Sequence, residues 1–170
     1  MLPIILDCSK IRVGIAGSGE GLRRRLNLVR AAGPEEPAVY EGRVPTAAEL
    51  ASLQIIFVAG LDPETSRDLA AAARKAHVLV NVEDVPELCD FHVPAQVRRG
   101  DLLVAISTAG RSPALARALR EDIEQRFGPE WEGRLEEISG LRGRWRADGV
   151  SPEEVSARTR SLLSERGWLA

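Results

Sequence analysis

The chain has 170 residues, 44% of them hydrophobic and 28% charged, with a formal net charge of −2. This suits one soluble domain, or one with a second appended, and gives no argument for a nucleic-acid or membrane surface, so neither partner is expected. No apolar run reaches the roughly 18–20 residues of a spanning helix. Cys8 and Cys89 form no CxxC pair, so neither a zinc site nor a disulfide framework is expected.

The opening "MLPIILDCSK" is apolar but has no basic lead and no small-residue cleavage site. No signal peptide is expected, and a reducing, cytoplasmic location is the default. "IRVGIA", residues 11–16, reads as a buried parallel strand before glycines. Residues 20–32 place Leu22, Leu26 and Val29 at helical spacing among arginines. "PAVYEGRV" reads as a strand that Pro37 confines to a sheet edge. Thr46 and Glu49 have capping-box spacing ahead of a short helix. "IIFVA" (55–59) and "HVLVNV" (77–82) read as further buried strands, separated by a helix from Asp62-Pro63 to about Ala76. "LLVAIS" (102–107) reads as a fourth. Strands alternating with helices predict an α/β fold with a parallel sheet. After Ser107 the chain turns helical. Ser112-Pro113 opens one helix to about Phe127. Another spans about 129–145, with a weak point at Gly140 and Gly143. Ser151 and Glu154 suggest a capping box before a last helix ending near Gly167.

The first strand runs into Gly17-Ser-Gly19-Glu-Gly21-Leu22. This nearly fits the G-x-G-x-x-G of a dinucleotide turn, with Leu22 at the third glycine, where a larger residue pushes the helix away. The free N–H groups of a helix start favour an anion. Glu41 is the acid nearest the spacing expected for a ribose contact. Segment 33–54 holds one short strand and one short helix, because a full βαβ unit needs about 30 residues. From these residues alone, a nucleotide site and a structural turn both remain open.

Residues 81–123 are more specific. Asn81-Val82-x-Asp84, Pro86-x-Leu-Cys-Asp-Phe91, Pro94, Arg98-Arg-Gly-Asp-Leu102, and Ala105-Ile-Ser-Thr-x-Gly110 with Ser112-Pro-Ala-Leu-Ala-Arg117 occur in that order. They closely resemble the precorrin-2 dehydrogenase family, the N-terminal part of siroheme synthase, whose members often double as sirohydrochlorin ferrochelatases. "MLPIILD" resembles the family's opening, and "PEWEGRLEEISGLRGRWR" its C-terminal helices.

The resemblance implies a shortened Rossmann-like parallel sheet, then a dimerisation region and a C-terminal helical region. The corresponding boundaries are 1–94 for NAD binding, 95–127 for dimerisation and tetrapyrrole binding, and 128–170 for the helices. It implies a cytoplasmic homodimer that oxidises precorrin-2 to sirohydrochlorin with NAD and can insert ferrous iron to give siroheme. Gly17, Gly19, Glu20 and Gly21 would line the pyrophosphate side, with Glu41 as the ribose candidate and Asp84 as the key acid. The chain departs from the family at Ser18, which stands at a usual glycine, and at Ala59-Gly60-Leu61-Asp62, which stands for a polar "ATDD". In one register "AVYEGRVPTAAEL" matches the family's third strand, so the second strand and its helix would be missing.

The chemistry agrees with the resemblance. Precorrin-2 carries eight carboxylates, so its cleft needs anion-binding groups. Ser107, Thr108, Gly110, Arg111 and Ser112, at a helix start, are the candidates. Arg98 and Arg99 could add charge from a nearby turn. Ser112 reads equally as a plain cap. Loss of hydride and metal insertion both require proton removal, for which Asp84 is the candidate general base. Glu83 would point away from it if the strand pleat persists. His92 is more often a surface residue than a metal ligand, although it could help deliver a metal, and no protein metal site is expected. Cys89 reads as a small packed residue, and Trp131, Trp145 and Trp168 as core or dimer contacts. Two alternatives remain: a shortened relative that binds or metallates tetrapyrroles without NAD, and a non-catalytic tetrapyrrole carrier.

Overall fold

The computed structural model describes residues 1–33 and 36–169. They fall into two compact units, Met1–Val93 and Pro94–Ala170. The first unit runs β1 (Val13–Gly17), α1 (Gly19–Arg30), β2 (Ala38–Glu41), α2 (Ala47–Ala51), β3 (Ile55–Ala59), α3 (Pro63–Lys75) and β4 (Leu79–Val82). Every ladder is parallel and the sheet order is β2-β1-β3-β4.

All residues of β1 and β3 are buried, as continuous apolar runs covered on both faces require. The pleat divides them. Val13, Ile15, Ile55 and Phe57 pack with Leu22 and Val29 of α1. Ala16, Ile56 and Val58 pack with Leu50 of α2 and Leu69, Ala70 and Ala73 of α3. Strand β2 lies at the edge, with only Tyr40 of its four residues buried. Helix α2 is fixed by the expected capping box: Glu49 N–H donates to Thr46 Oγ1 at 3.3 Å, and Thr46 N–H to Glu49 Oε2 at 2.7 Å. Asp62 caps α3, accepting from Thr65 N–H at 2.9 Å, with Pro63 opening the helix.

Two expectations are corrected in this unit. In one register the second strand was expected to be missing, but β2 pairs with β1 directly, Gly17 opposite Glu41, which is the second strand's place in such a sheet. The sheet therefore reverses strand order at β1, where open α/β sheets bind ligands. The fourth strand begins at Leu79; His77 has φ 59° and ends the preceding helix in the left-handed conformation.

The second unit contains β5 (Ala95–Arg99), β6 (Leu102–Ile106), α4 (Pro113–Arg126), α5 (Trp131–Ala147) and α6 (Pro152–Glu165). Residues 102–106 are not a fourth parallel strand. They pair antiparallel with β5 and are half-exposed. The reason is the two-residue turn Gly100-Asp101, with Gly100 at φ 55°, which closes a hairpin where a parallel strand needs a crossover. Helix α5 passes unbroken through Gly140 and Gly143, and Trp131 at its start is buried against Phe127, ring centroids 4.9 Å apart.

Candidate functional site

The glycine turn crosses closely over the end of β3. Ser18 N–H donates to Ala59 O at 3.1 Å, and the Ser18 hydroxyl donates to Gly60 O at 2.7 Å. A Cβ on Gly17 would collide with the carbonyl of Ala59, and one on Gly60 with the carbonyl of Ser18. Ser18 itself is extended at φ −152°, so serine fits where the family has glycine. Its hydroxyl is given to Gly60 O, and Ser18 makes no side-chain cap to the first turn of α1. Above Gly19, at φ 62°, a Cβ would meet nothing within 4 Å. An uncapped helix start beneath open space fits a phosphate group.

Leu22 does not push the helix away. It is buried on the α1 face of the sheet, and Gly21 makes the close helix–strand approach. A Cβ on Gly21 would lie 3.1 Å from Ala59 Cβ and 2.6 Å from Glu83 Oε2. The turn is thus a G-x-G-x-G, with packing assigned to its third glycine.

Glu83, the residue after β4, was expected to point away from Asp84, and what it meets there was not foreseen. Its carboxylate lies under the first turn of α1, 3.2 Å from Arg24 Nη2 and 3.6 Å from Arg25 Nη2, and only 15% of its side chain is exposed. No local pattern pairs residues 59 positions apart, so the sequence carried no signal for it.

Asp84 follows in a left-handed conformation, φ 61°, with its side chain exposed. Aspartate tolerates this region better than most residues, but at a cost. The strained corner is held from both sides. Glu83 N–H donates to Val58 O at 2.9 Å and Val85 N–H to Val82 O at 3.3 Å. Beyond a 3-10 turn at Pro86–Leu88, the "LCDF" residues fold back on β4. Asp90 N–H donates to Val80 O at 2.8 Å, and the Asp90 carboxylate accepts from Val80 N–H at 3.0 Å and Arg74 Nε at 2.8 Å. Asn81 Nδ2 donates to Phe91 O at 2.9 Å. Cys89 donates to Val82 O at 3.1 Å, and burial pushes its thiol above the ordinary value. These residues brace β4 and the corner that carries Asp84.

Glu41 is exposed at the end of β2. Gly42, at φ 66°, donates to Gly17 O at 2.9 Å and turns the chain past the glycine loop. Along the strand order, Glu41, Gly17, Gly60 and Asp84 mark the carboxyl ends of β2, β1, β3 and β4. Three inter-strand spacings separate the outer two, roughly 14 Å. Glu20, in the first turn of α1, faces solvent and pairs with Arg23 at 3.4 Å.

The other predicted cluster lies in the second unit. Ser112 caps α4, accepting from Leu115 N–H at 3.3 Å. Thr108 Oγ1 accepts from Ser112 N–H at 3.2 Å and donates to Ser112 O at 3.0 Å. Ala109 (φ 55°) and Gly110 (φ 76°) form the tight turn between them, and Ser107 Oγ accepts from Ala109 N–H at 3.2 Å. Arg111 is exposed. Arg98 and Arg99 lie in β5 rather than in a turn. Arg99 donates to Phe127 O at 2.8 Å and Glu124 O at 3.3 Å, so it pins the end of α4. His92 is exposed, and among the described residues no three His, Cys, Asp or Glu side chains gather as a metal site. No helix among them is long and apolar enough to cross a membrane.

The family described as "putative NAD(P)-binding" matches residues 4–95, and the one described as "sirohaem biosynthesis protein central" matches residues 99–126. Siroheme synthase 1 of Pectobacterium atrosepticum is 32% identical over 183 residues, covering 97% of this chain and 36% of the relative. Siroheme synthase of Methylococcus capsulatus is 36% identical over 149 residues, covering 75% of this chain and 31% of the relative. The chain thus spans about a third of the length of these relatives. The solved structure "SirC, precorrin-2 dehydrogenase" superposes with a TM-score of 0.72 at 20% identity, over 100% of this chain and 93% of that one. This likeness supports the fold.

Proposed function

The chain belongs to the precorrin-2 dehydrogenase and siroheme synthase family, and from that premise we propose that it is an NAD-dependent precorrin-2 dehydrogenase that forms sirohydrochlorin. The observation that carries this reading is the crest of the sheet, where an uncapped glycine turn, an acid opposite it on β2 and a strained aspartate just past β4 share one edge.

Bound NAD would supply the hydride acceptor. The N–H groups at the start of α1 would hold its pyrophosphate, with Gly17 and Gly21 allowing the backbone to approach, and Glu41 would accept from ribose hydroxyls. Asp84 would take the proton that leaves the tetrapyrrole as hydride departs, and its exposure keeps it accessible to a bulky substrate. Ser107, Thr108, Gly110, Arg111 and Ser112 would meet the substrate's peripheral carboxylates. The same base would accept pyrrole protons if ferrous iron is inserted as a second substrate. The protein would act in the cytoplasm as a homodimer joined through its second unit, where α4 has no buried residue and leaves Leu115 and Leu119 exposed.

Calorimetric titration with NAD, paired with anaerobic turnover of precorrin-2, tests the reading. Saturable NAD binding and formation of NADH with sirohydrochlorin are expected. No saturation up to millimolar NAD would rule out the dehydrogenase.

A further inference from the structure

Resting on the dinucleotide reading above, we propose that Glu49 is a specificity-determining residue: by holding Arg43, it sets the β2 turn to accept a ribose 2′-hydroxyl and not a 2′-phosphate.

In dinucleotide folds an acid near the end of the second strand accepts the ribose hydroxyls of NAD, whereas a nearby arginine accommodates the 2′-phosphate of NADP. This chain carries both, Glu41 and Arg43, two residues apart, so the sequence is compatible with either cofactor. The structure separates them. Glu41 is exposed at the strand end, opposite Gly17, and is in no ion pair among the described residues. Arg43 is committed. Its Nη1 and Nη2 donate to the two oxygens of Glu49 at 2.9 and 2.7 Å, Nη1 also reaches Val44 O at 3.3 Å, and the guanidinium lies 4.8 Å from the centre of the Tyr40 ring.

Glu49 cannot simply follow Arg43 toward a ligand. It is the third residue of α2, and its carboxylate also accepts from Thr46 N–H at 2.7 Å in the capping box. Arg43 first, then the Thr46 backbone, lowers its pKa to about 2, so it is anionic across the working range. Exposed ion pairs are weak in general, but a bidentate pair anchored in a further network is the exception. A 2′-phosphate would have to displace this fixed carboxylate while meeting the negative charge of Glu41.

Calorimetric titration of the full chain with NAD and with NADP tests the assignment on three forms: wild type, Glu49→Gln, and Glu49→Gln with Arg43→Ala. Glutamine retains the capping-box geometry and loses the charge. Wild type is expected to favour NAD. Glu49→Gln should tighten NADP binding about tenfold and leave NAD affinity unchanged, which also reports that the fold is intact. Adding Arg43→Ala should abolish the gain. An unchanged NAD-to-NADP ratio in Glu49→Gln, or a gain that survives loss of Arg43, overturns the inference while leaving the cofactor reading standing. Failure of wild type to saturate with either nucleotide overturns both.

Discussion

Gly21 and Glu83 occupy each other's space, and a double-mutant cycle measures this. A Cβ at position 21 would lie 2.6 Å from Glu83 Oε2, so Gly21→Ala must push the carboxylate off Arg24 and Arg25. Two effects oppose each other. Alanine in a helix gains up to about 1 kcal/mol over glycine. Displacing a largely buried, doubly paired carboxylate forfeits about 1–3 kcal/mol of charge-assisted contacts. In the wild-type background the net effect should be a loss of about 1 kcal/mol. In a Glu83→Ala background only the helix gain and the 3.1 Å contact with Ala59 Cβ remain, so the same substitution should be neutral or stabilising. The Ala59 contact is common to both backgrounds and cancels, leaving a coupling energy of about 1–3 kcal/mol. Urea denaturation of the four forms gives the cycle. Additivity within about 0.5 kcal/mol would refute the close packing of Glu83 against Gly21.

The strained conformation of Asp84 leads to a second prediction. Asp84→Gly should stabilise the fold by roughly 0.5–1 kcal/mol by relieving the positive φ, yet lose at least about a hundredfold in precorrin-2 oxidation with NAD affinity unchanged. Asp84→Asn should match its loss of activity without the gain in stability. Full activity in either variant would remove Asp84 from the mechanism. A third prediction concerns pH. Arg43 and the Thr46 N–H lower the folded-state pKa of Glu49 from 4.5 to about 2, so the stability it contributes is complete above 4.5 and is lost as pH falls toward 2. The difference in thermal midpoint between wild type and Glu49→Gln should be constant near neutrality, shrink below pH 4.5 and vanish near pH 2. A difference independent of pH would show that the charge of Glu49 is not what matters.

By itself the sequence determined what depends on neighbours a few positions apart. Apolar runs marked three strands of the first unit, Pro37 marked the edge strand, and Thr46, Asp62, Ser112 and Ser151 announced their helices, because caps and periodicity are local. The residues from Asn81 to Arg117 identified the family. Tertiary structure decided what depends on residues distant in the chain. It placed β2 beside β1 and so put Glu41 opposite Gly17. It made residues 102–106 half of an antiparallel hairpin, because an apolar run of that length does not reveal the direction of its partner. It assigned the close helix–strand approach to Gly21 and brought Glu83 beneath α1. It also separated two residues of opposite charge that lie two positions apart: Glu41 is exposed, while Arg43 is held by Glu49. Local chemistry could state that a glycine turn, an acid and an arginine were present. Which of them is exposed and which is paired depended on hydrogen bonds and packing formed only when the sheet assembles.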